Sequence, residues 1–208
     1  MRTDLLIGRD AELVRIRNSL RGRGAILVGP AGVGKTRLAH VVGGERADAD
    51  VYRVRGAASV ASMPLDSIVA TIEPQTTEDP TTAAITVLRQ RRRARPQVLI
   101  VDDAHLFDEE SARVIAHLVD VIGCGAVVTQ RAGERCPEPF TMLWKDEVLE
   151  RIEVEPLSPE SVARLASEMV GAALDRLEEL VTLARRTAEE DLQRSLEAVR
   201  EIEMDHRA

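Results

Sequence analysis

The chain has 208 residues, of which 44% are hydrophobic, 30% charged and 2% aromatic, and its formal net charge is −7. This length and composition are typical of a soluble globular protein with one α/β domain and a small appendage. No apolar run is long enough for a membrane helix, and the polar start Met1-Arg2-Thr3-Asp4 is not a signal peptide, which favours a cytoplasmic location. The negative charge argues against the chain itself gripping a nucleic-acid backbone.

Apolar periodicity predicts alternating helices and strands along the chain. Leu13, Ile16 and Leu20 have helical spacing in the segment 10–20. Further helices are predicted at 36–42, 82–93, 109–121 and 159–170, and strands at 25–28, 51–54, 98–101, 126–129 and 151–154. Such alternation predicts an α/β fold with a parallel sheet wrapped by helices on both faces. The polar segment 73–80 is predicted to be a loop.

A phosphate-binding loop follows the first predicted strand. The pattern G-x-x-x-x-G-K-[ST] is met at every fixed position by Gly29, Pro30, Ala31, Gly32, Val33, Gly34, Lys35 and Thr36. Glycines let the backbone curl so that its N–H groups form a nest for phosphate oxygens, and the following helix adds its positive dipole end. Lys35 is expected to reach the β- and γ-phosphates, and the Thr36 hydroxyl to bind Mg²⁺.

A pair of carboxylates ends a second apolar strand. The run 98–101 is continuous and aliphatic, as in a central parallel strand, and Asp102 and Asp103 follow it. A carboxylate in this position beside a phosphate-binding loop can hold Mg²⁺. We therefore expect Asp102 to be a metal ligand and Asp103 to polarise the attacking water.

Two other features have ordinary interpretations. Cys124 and Cys136 lack CxxC spacing and neighbouring histidines, which favours reduced thiols over a zinc site. A basic cluster precedes the Asp102 strand and contains Arg89, Arg91, Arg92, Arg93 and Arg95. The end of a solvated helix, whose dipole these arginines complement, is favoured over a nucleic-acid patch.

The chain changes character after Pro156. Residues 172–204 contain no Gly or Pro and carry an apolar stripe that includes Leu174, Leu177 and Val181. This pattern predicts one or two amphipathic helices that are marginal unless the stripe is covered. We expect an ATPase core at 1–156 and a helical lid or tail at 157–208. A helix that pairs with another chain is the alternative, although Asp191 and the alanines make a poor heptad seam.

Several motifs in order resemble the ATPase domain of large LuxR-type transcriptional regulators from actinobacteria, in the STAND branch of the AAA-like P-loop ATPases. The similarity covers about residues 5–165 and rests on motifs beginning at Leu6, Val28, Asp102, Thr129, Leu143, Glu150 and Pro156. The resemblance implies that Ile7, Gly8 and Arg9 line the adenine side of a pocket for ATP or ADP. The nucleotide would also contact the phosphate-binding loop and Arg37, which follows Thr36. It also implies that Arg131 reads the γ-phosphate. The strand that carries Arg131 is expected to run on through Phe140 and Trp144.

The chain departs from that family after residue 157. The Gly-Asn-Pro stretch, the helical repeats and the helix-turn-helix do not occur, so we expect a stand-alone or truncated module without a DNA-binding module. Its output would pass through a protein partner, for which the helical tail is the candidate surface, or through the tail itself. Asp103 reaches less far than a glutamate, which predicts slow hydrolysis. The expected function is a slow ATP-hydrolysing switch; a non-hydrolysing nucleotide-binding adaptor is the alternative, and a small-molecule kinase ranks below both.

Overall fold

A computed structural model describes residues 6–56, 80–171, 173–174, 176–182 and 186, with the backbone alone at 80–84. The chain divides into two compact units, Met1–Ser158 and Pro159–Ala208. Of the predicted loop at 73–80, residues 73–79 lie outside the described residues and Pro80 begins a helix. Most of the predicted tail helix also lies outside the described residues.

The first unit is an α/β domain whose described strands form one five-stranded, all-parallel sheet in the order β2-β3-β4-β1-β5. The strands are β1 (Gly24–Gly29), β2 (Asp50–Arg55), β3 (Gln97–Asp102), β4 (Gly125–Arg131) and β5 (Glu150–Glu153). The helices are α1 (Asp10–Ser19), α2 (Lys35–Gly44), α3 (Pro80–Arg91), α4 (Glu109–His117) and α5 (Glu138–Lys145). A 3₁₀ turn covers Ala104–Leu106, and a π-helical turn over Leu118–Ile122 extends α4.

Apolar cores cover both faces of the sheet. On one face, Ile26, Leu99 and Val128 pack with residues of α4 and α5, including the fully buried Phe140. On the other face, Leu27 and Ile100 pack with α1 and α2. The central strands β1 and β3 are buried at every position, which explains their unbroken apolar sequences.

The predicted fold class and the five predicted strands are confirmed, each to within a few residues. One prediction is wrong: the strand that carries Arg131 does not run on through Phe140 and Trp144. Strand β4 ends at Arg131, and both aromatic residues lie on α5, which follows Pro137. The physical reason is the spacing of Phe140 and Leu143, which buries one side of a helix against the sheet.

The second unit is helical over its described residues, at 159–171, 173–174, 176–182 and 186. Several large apolar side chains there are exposed. They are Val162, Met169, Val170, Leu174, Leu177, Leu180 and Val181. No helix among the described residues is long and apolar enough to cross a membrane.

Both cysteines are free thiols, as the sequence predicts. Burial raises the pKa of Cys124 to about 11 and that of Cys136 to about 12, so both stay protonated at neutral pH. Within the described ranges, no group of three or more His, Cys, Asp and Glu side chains is placed to hold a metal ion.

The last residue of β1 is packed too tightly for a side chain. A Cβ atom on Gly29 would lie 2.2 Å from the carbonyl oxygen of Val154. The approach is fixed by the sheet itself, because the Val154 N–H donates to the Val28 carbonyl at 2.7 Å. The first glycine of the phosphate-binding loop therefore has a packing role in addition to any role in ligand binding.

We predict that Gly29→Ala lowers the free energy of unfolding by about 2 kcal/mol or more, because backbone must move to admit the methyl group. Gly44→Ala is the matched control: its Cβ meets nothing within 4 Å at the end of α2. Alanine there should be neutral or stabilising by up to about 1 kcal/mol. Urea unfolding measures both. Equal stability of the two variants would contradict the close approach of Val154 to Gly29.

Candidate functional site

The phosphate-binding loop connects β1 to α2 at the carboxyl edge of the sheet. Gly32 and Gly34 have φ angles of 78° and 99°, a left-handed backbone that favours glycine. A Cβ on either residue would meet no heavy atom within 4 Å, so the space above the loop is open. The loop therefore has the curled backbone and free volume that a phosphate nest needs.

Lys35 begins α2 and turns its ammonium back over the loop. Its Nζ atom donates to the carbonyl oxygens of Gly29 at 2.8 Å and Pro30 at 2.7 Å. Burial lowers the pKa of Lys35; Asp103 opposes this shift, Arg131 adds to it, and Asp102 opposes it. An ammonium has three hydrogens, so after these two bonds one remains to meet an anion above the loop.

A single carboxylate oxygen joins three elements of the site. Asp102 is 4% exposed, and its Oδ1 atom accepts from Thr36 Oγ1 at 2.7 Å and from Thr129 Oγ1 at 2.6 Å. These bonds connect β3 to the start of α2 and to the neighbouring strand β4. Because the Thr36 hydroxyl donates its hydrogen to Asp102, the lone pairs of the Thr36 oxygen remain available to a cation.

Asp103 has a left-handed backbone, with φ 55° and ψ 51°. Its N–H donates to Thr129 Oγ1 at 3.0 Å. Its Oδ2 atom accepts from Arg55 Nε at 3.2 Å, and Arg55 is the last residue of β2. The carboxylate is thus held at the strand ends by a cation from the next strand.

Arg131 ends β4 directly beside Gly29 in the sheet register. Its guanidinium is half-exposed and lies 3.8 Å from the carboxylate of Glu134. Such an exposed ion pair is weak, so the side chain can be drawn to a stronger anion at little cost.

A cavity of about 1100 Å³ brings most of the predicted site residues together. Of these, it is lined by Ala31, Gly32, Gly34, Lys35, Thr36, Arg37, Asp103 and Arg131. Residues that the sequence analysis did not single out also line it, namely His40, Val41, Gly44, Glu45, His105 and Leu106. His40 could have been anticipated, because it lies one helical turn after Thr36.

The residues expected on the adenine side do not line this cavity. Arg9 is 5% exposed, and its guanidinium donates to the carbonyl oxygens of Val33 at 2.9 Å and Glu155 at 2.7 Å. It also forms an ion pair with Glu12 at 2.6 Å. These bonds tie the segment before α1 to the phosphate-binding loop and to the chain after β5.

Two residues with clear places in the site were missed from sequence. Thr129 is fully buried and bonds both Asp102 and Asp103. Its signal was a hydroxyl within an otherwise apolar strand. Arg55 had no local signal, because its contact with Asp103 depends on β2 and β3 being neighbours.

Comparison with known families agrees with this geometry, since the family described as "AAA domain" matches residues 20–133, more than half of the chain. The chain belongs to the AAA domain family. No curated protein matches it.

Among solved structures, this AAA domain is similar to a Signal Transduction ATPase with Numerous Domains (STAND) protein with a tetratricopeptide repeat sensor, from Pyrococcus horikoshii. The TM-score is 0.51 at 23% sequence identity, which shows a shared fold. The match covers 81% of this chain and 26% of that protein, so the chain spans about a quarter of the length of that relative.

Proposed function

We propose that this AAA domain binds ATP and ADP with Mg²⁺, hydrolyses ATP slowly, and acts as a nucleotide-dependent switch of the STAND type. One observation carries the proposal: Lys35, Thr36, Asp103 and Arg131, which come from three separate segments, line one cavity above the phosphate-binding loop.

The residues present fit a nucleotide phosphate chain. The nest at Gly32 and Gly34 is open, the N-terminus of α2 points its free N–H groups to the same place, and Lys35 has a hydrogen to donate. The cavity volume of about 1100 Å³ is sufficient for a nucleotide. The segment with Ile7, Gly8 and Arg9 is proposed to close the adenine side.

The residues also fit a magnesium ion. Thr36 and Asp102 already lie within 2.7 Å of each other, and both offer the oxygen ligands that hard cations prefer. When bound, Mg²⁺ would neutralise charge on the β- and γ-phosphates. Thr129 would keep Asp102 in position through its 2.6 Å bond.

Asp103 is the proposed base that orients and polarises the attacking water, and Arg131 the proposed cation that contacts the γ-phosphate. The short aspartate side chain and its bond to Arg55 favour slow turnover, because one carboxylate oxygen is engaged before any water arrives. With Lys35, these form the proposed catalytic set.

The switch proposal extends to the whole chain, with an ATPase core at 1–156 and a helical lid or tail at 157–208. The motifs that resemble LuxR-type regulators support a regulatory role, and the STAND relative is described as a signal-transduction ATPase. Exposed apolar residues such as Leu174 and Leu177 support a protein partner for the helical segment.

A second candidate is an adaptor that binds nucleotide without turnover. The Arg55–Asp103 contact favours it, because the arginine competes with water for one oxygen of the carboxylate.

We predict that Mg-ATP and Mg-ADP raise the melting temperature of the wild-type protein and that Lys35→Ala removes most of this rise. A ligand at about 100 times its Kd adds about 2.7 kcal/mol, or roughly 5–10 °C for a chain of this size. Lys145→Ala is the control, since Lys145 is an exposed lysine at the end of α5. A normal rise in the Lys35→Ala protein would show that the assigned pocket is wrong.

Phosphate release at steady state separates the two candidate functions. If Asp103 is the base, Asp103→Asn should lower turnover by about 100-fold or more while nucleotide binding is kept. Asp146→Asn makes the same chemical change at an exposed site and should not alter the rate. Wild-type release no faster than that of Asp103→Asn would support the adaptor.

The switch requires that the protein distinguish ATP from ADP. A charge-assisted bond from Arg131 to the γ-phosphate should make a non-hydrolysable ATP analogue change Trp144 fluorescence more than ADP does. Trp144 is the single tryptophan of the sequence and stacks under the Arg151 guanidinium at 5.0 Å. Arg131→Ala should erase the difference, and Arg135→Ala, an exposed neighbour, should keep it. Equal wild-type responses would leave a nucleotide binder without a switch.

A further inference from the structure

A second cavity, of about 860 Å³, lies at the edge of the sheet where the strands begin. Gln97 and Gly125, at the amino ends of β3 and β4, line it, as does Arg23 just before β1. The nucleotide site is at the carboxyl ends of the same parallel strands, so the two cavities occupy opposite edges of the sheet.

The lining of this second cavity is strongly basic. Within the described residues it contains seven arginines and one carboxylate, that of Asp48. The net charge of this lining is therefore positive, whereas the net charge of the whole chain is −7. The arginines come from three separate stretches of sequence, at residues 17–23, 46 and 92–95, and no single helix supplies them. A solvated helix end therefore does not account for the set.

Three of these arginines are neutralised by nearby carboxylates. Arg17 pairs with Glu45 at 2.7 Å, Arg46 with Asp48 at 2.8 Å, and Arg95 with Asp50 at 3.2 Å. The other four, Arg21, Arg23, Arg92 and Arg93, form no ion pair with any carboxylate that the structure describes.

Two of the unneutralised cations converge on one point. A Cβ on Gly123 would lie 2.3 Å from Arg23 Nη1 and 2.7 Å from Arg92 Nη2, so the two guanidinium groups sit side by side. Arg23 also donates to the Gly123 carbonyl at 2.8 Å, a neutral acceptor. Like charges this close repel each other, and an anion between them would relieve the repulsion.

A buried amide at the same place also lacks a partner. Gln97 is 2% exposed, and its Nε2 atom makes no hydrogen bond although the residue lines the cavity. Its other amide atom, Oε1, accepts weakly from Cys124 Sγ at 3.6 Å. An unsatisfied buried donor is costly, so the wall of the cavity at Gln97 carries unmet hydrogen-bonding capacity.

We propose that this cavity is a binding site for a small polyanion that carries two or more linked phosphate groups. Guanidinium groups bind phosphate through paired, charge-assisted hydrogen bonds, and Arg21, Arg23, Arg92 and Arg93 have no carboxylate partner among the described residues. The carboxyl ends of α1 and α3 also attract cations, but a helix dipole gives no reason for an unpaired amide donor. The concave shape favours a compact ligand over a nucleic-acid duplex.

The test is a calorimetric titration of the full chain with tripolyphosphate in the absence of Mg²⁺. The wild-type and Lys35→Ala proteins should both bind it at the arginine cavity, which separates this site from the phosphate-binding loop. Arg92→Ser combined with Arg93→Ser should weaken that binding by about tenfold or more. Both side chains are exposed, so the fold should be kept.

The control is Arg113→Ser combined with Arg164→Ser, which removes the same charge from exposed positions outside the cavity and should leave the affinity unchanged. Loss of all tripolyphosphate binding in Lys35→Ala would overturn the proposal, as would equal weakening by the control pair. Citrate binding as tightly as tripolyphosphate would overturn the phosphate chemistry. Preferential binding of a 20-base-pair DNA duplex would replace the small ligand with nucleic acid. Failure of nucleotide binding at the loop would leave these outcomes unaffected.

Discussion

The two hydroxyl hydrogen bonds to Asp102 Oδ1 hold the nucleotide edge of the sheet together. A buried carboxylate is costly unless donors surround it, and here Thr36 and Thr129 supply them from α2 and β4. Thr129 also accepts from the Asp103 N–H, so one threonine bonds the Asp102 carboxylate and the Asp103 backbone. One small hydrogen-bond network therefore positions the phosphate-binding loop, the metal-ligand candidates and the proposed base. A change in any member of the network would alter the positions of the others.

The parallel sheet gives the domain two chemically different edges. At the carboxyl edge, Asp102 ends β3, and Asp103 lines one cavity with the cations Lys35, Arg37 and Arg131. At the amino edge, seven arginines from distant parts of the sequence gather, and four of them have no carboxylate partner among the described residues. Helix α2 begins at the first edge with Lys35, and Arg46 lies just after its end, at the second.

Local patterns in the sequence were sufficient for most of the fold and for the phosphate-binding loop. Strands β1 and β3 are buried on both faces, so continuous apolar runs identify them, and the motif at 29–36 specifies its own conformation. Helix α5 was missed because the strand that carries Arg131 was expected to run on through Phe140 and Trp144, although Pro137 and the spacing of Phe140 and Leu143 are helix signals. These local sequence signals predict the helix that the structure shows.

What could not be predicted depends on strand order and backbone conformation. Arg55 meets Asp103 only because β2 lies beside β3. Arg23 and Arg92 meet at Gly123 only because β4 lies between β1 and β3. The left-handed conformation of Asp103 is likewise invisible in an apolar run followed by two aspartates. It also bears on the choice of residue, since aspartate tolerates positive φ better than most side chains. The aspartate at 103 therefore meets a backbone requirement as well as having a shorter reach than glutamate.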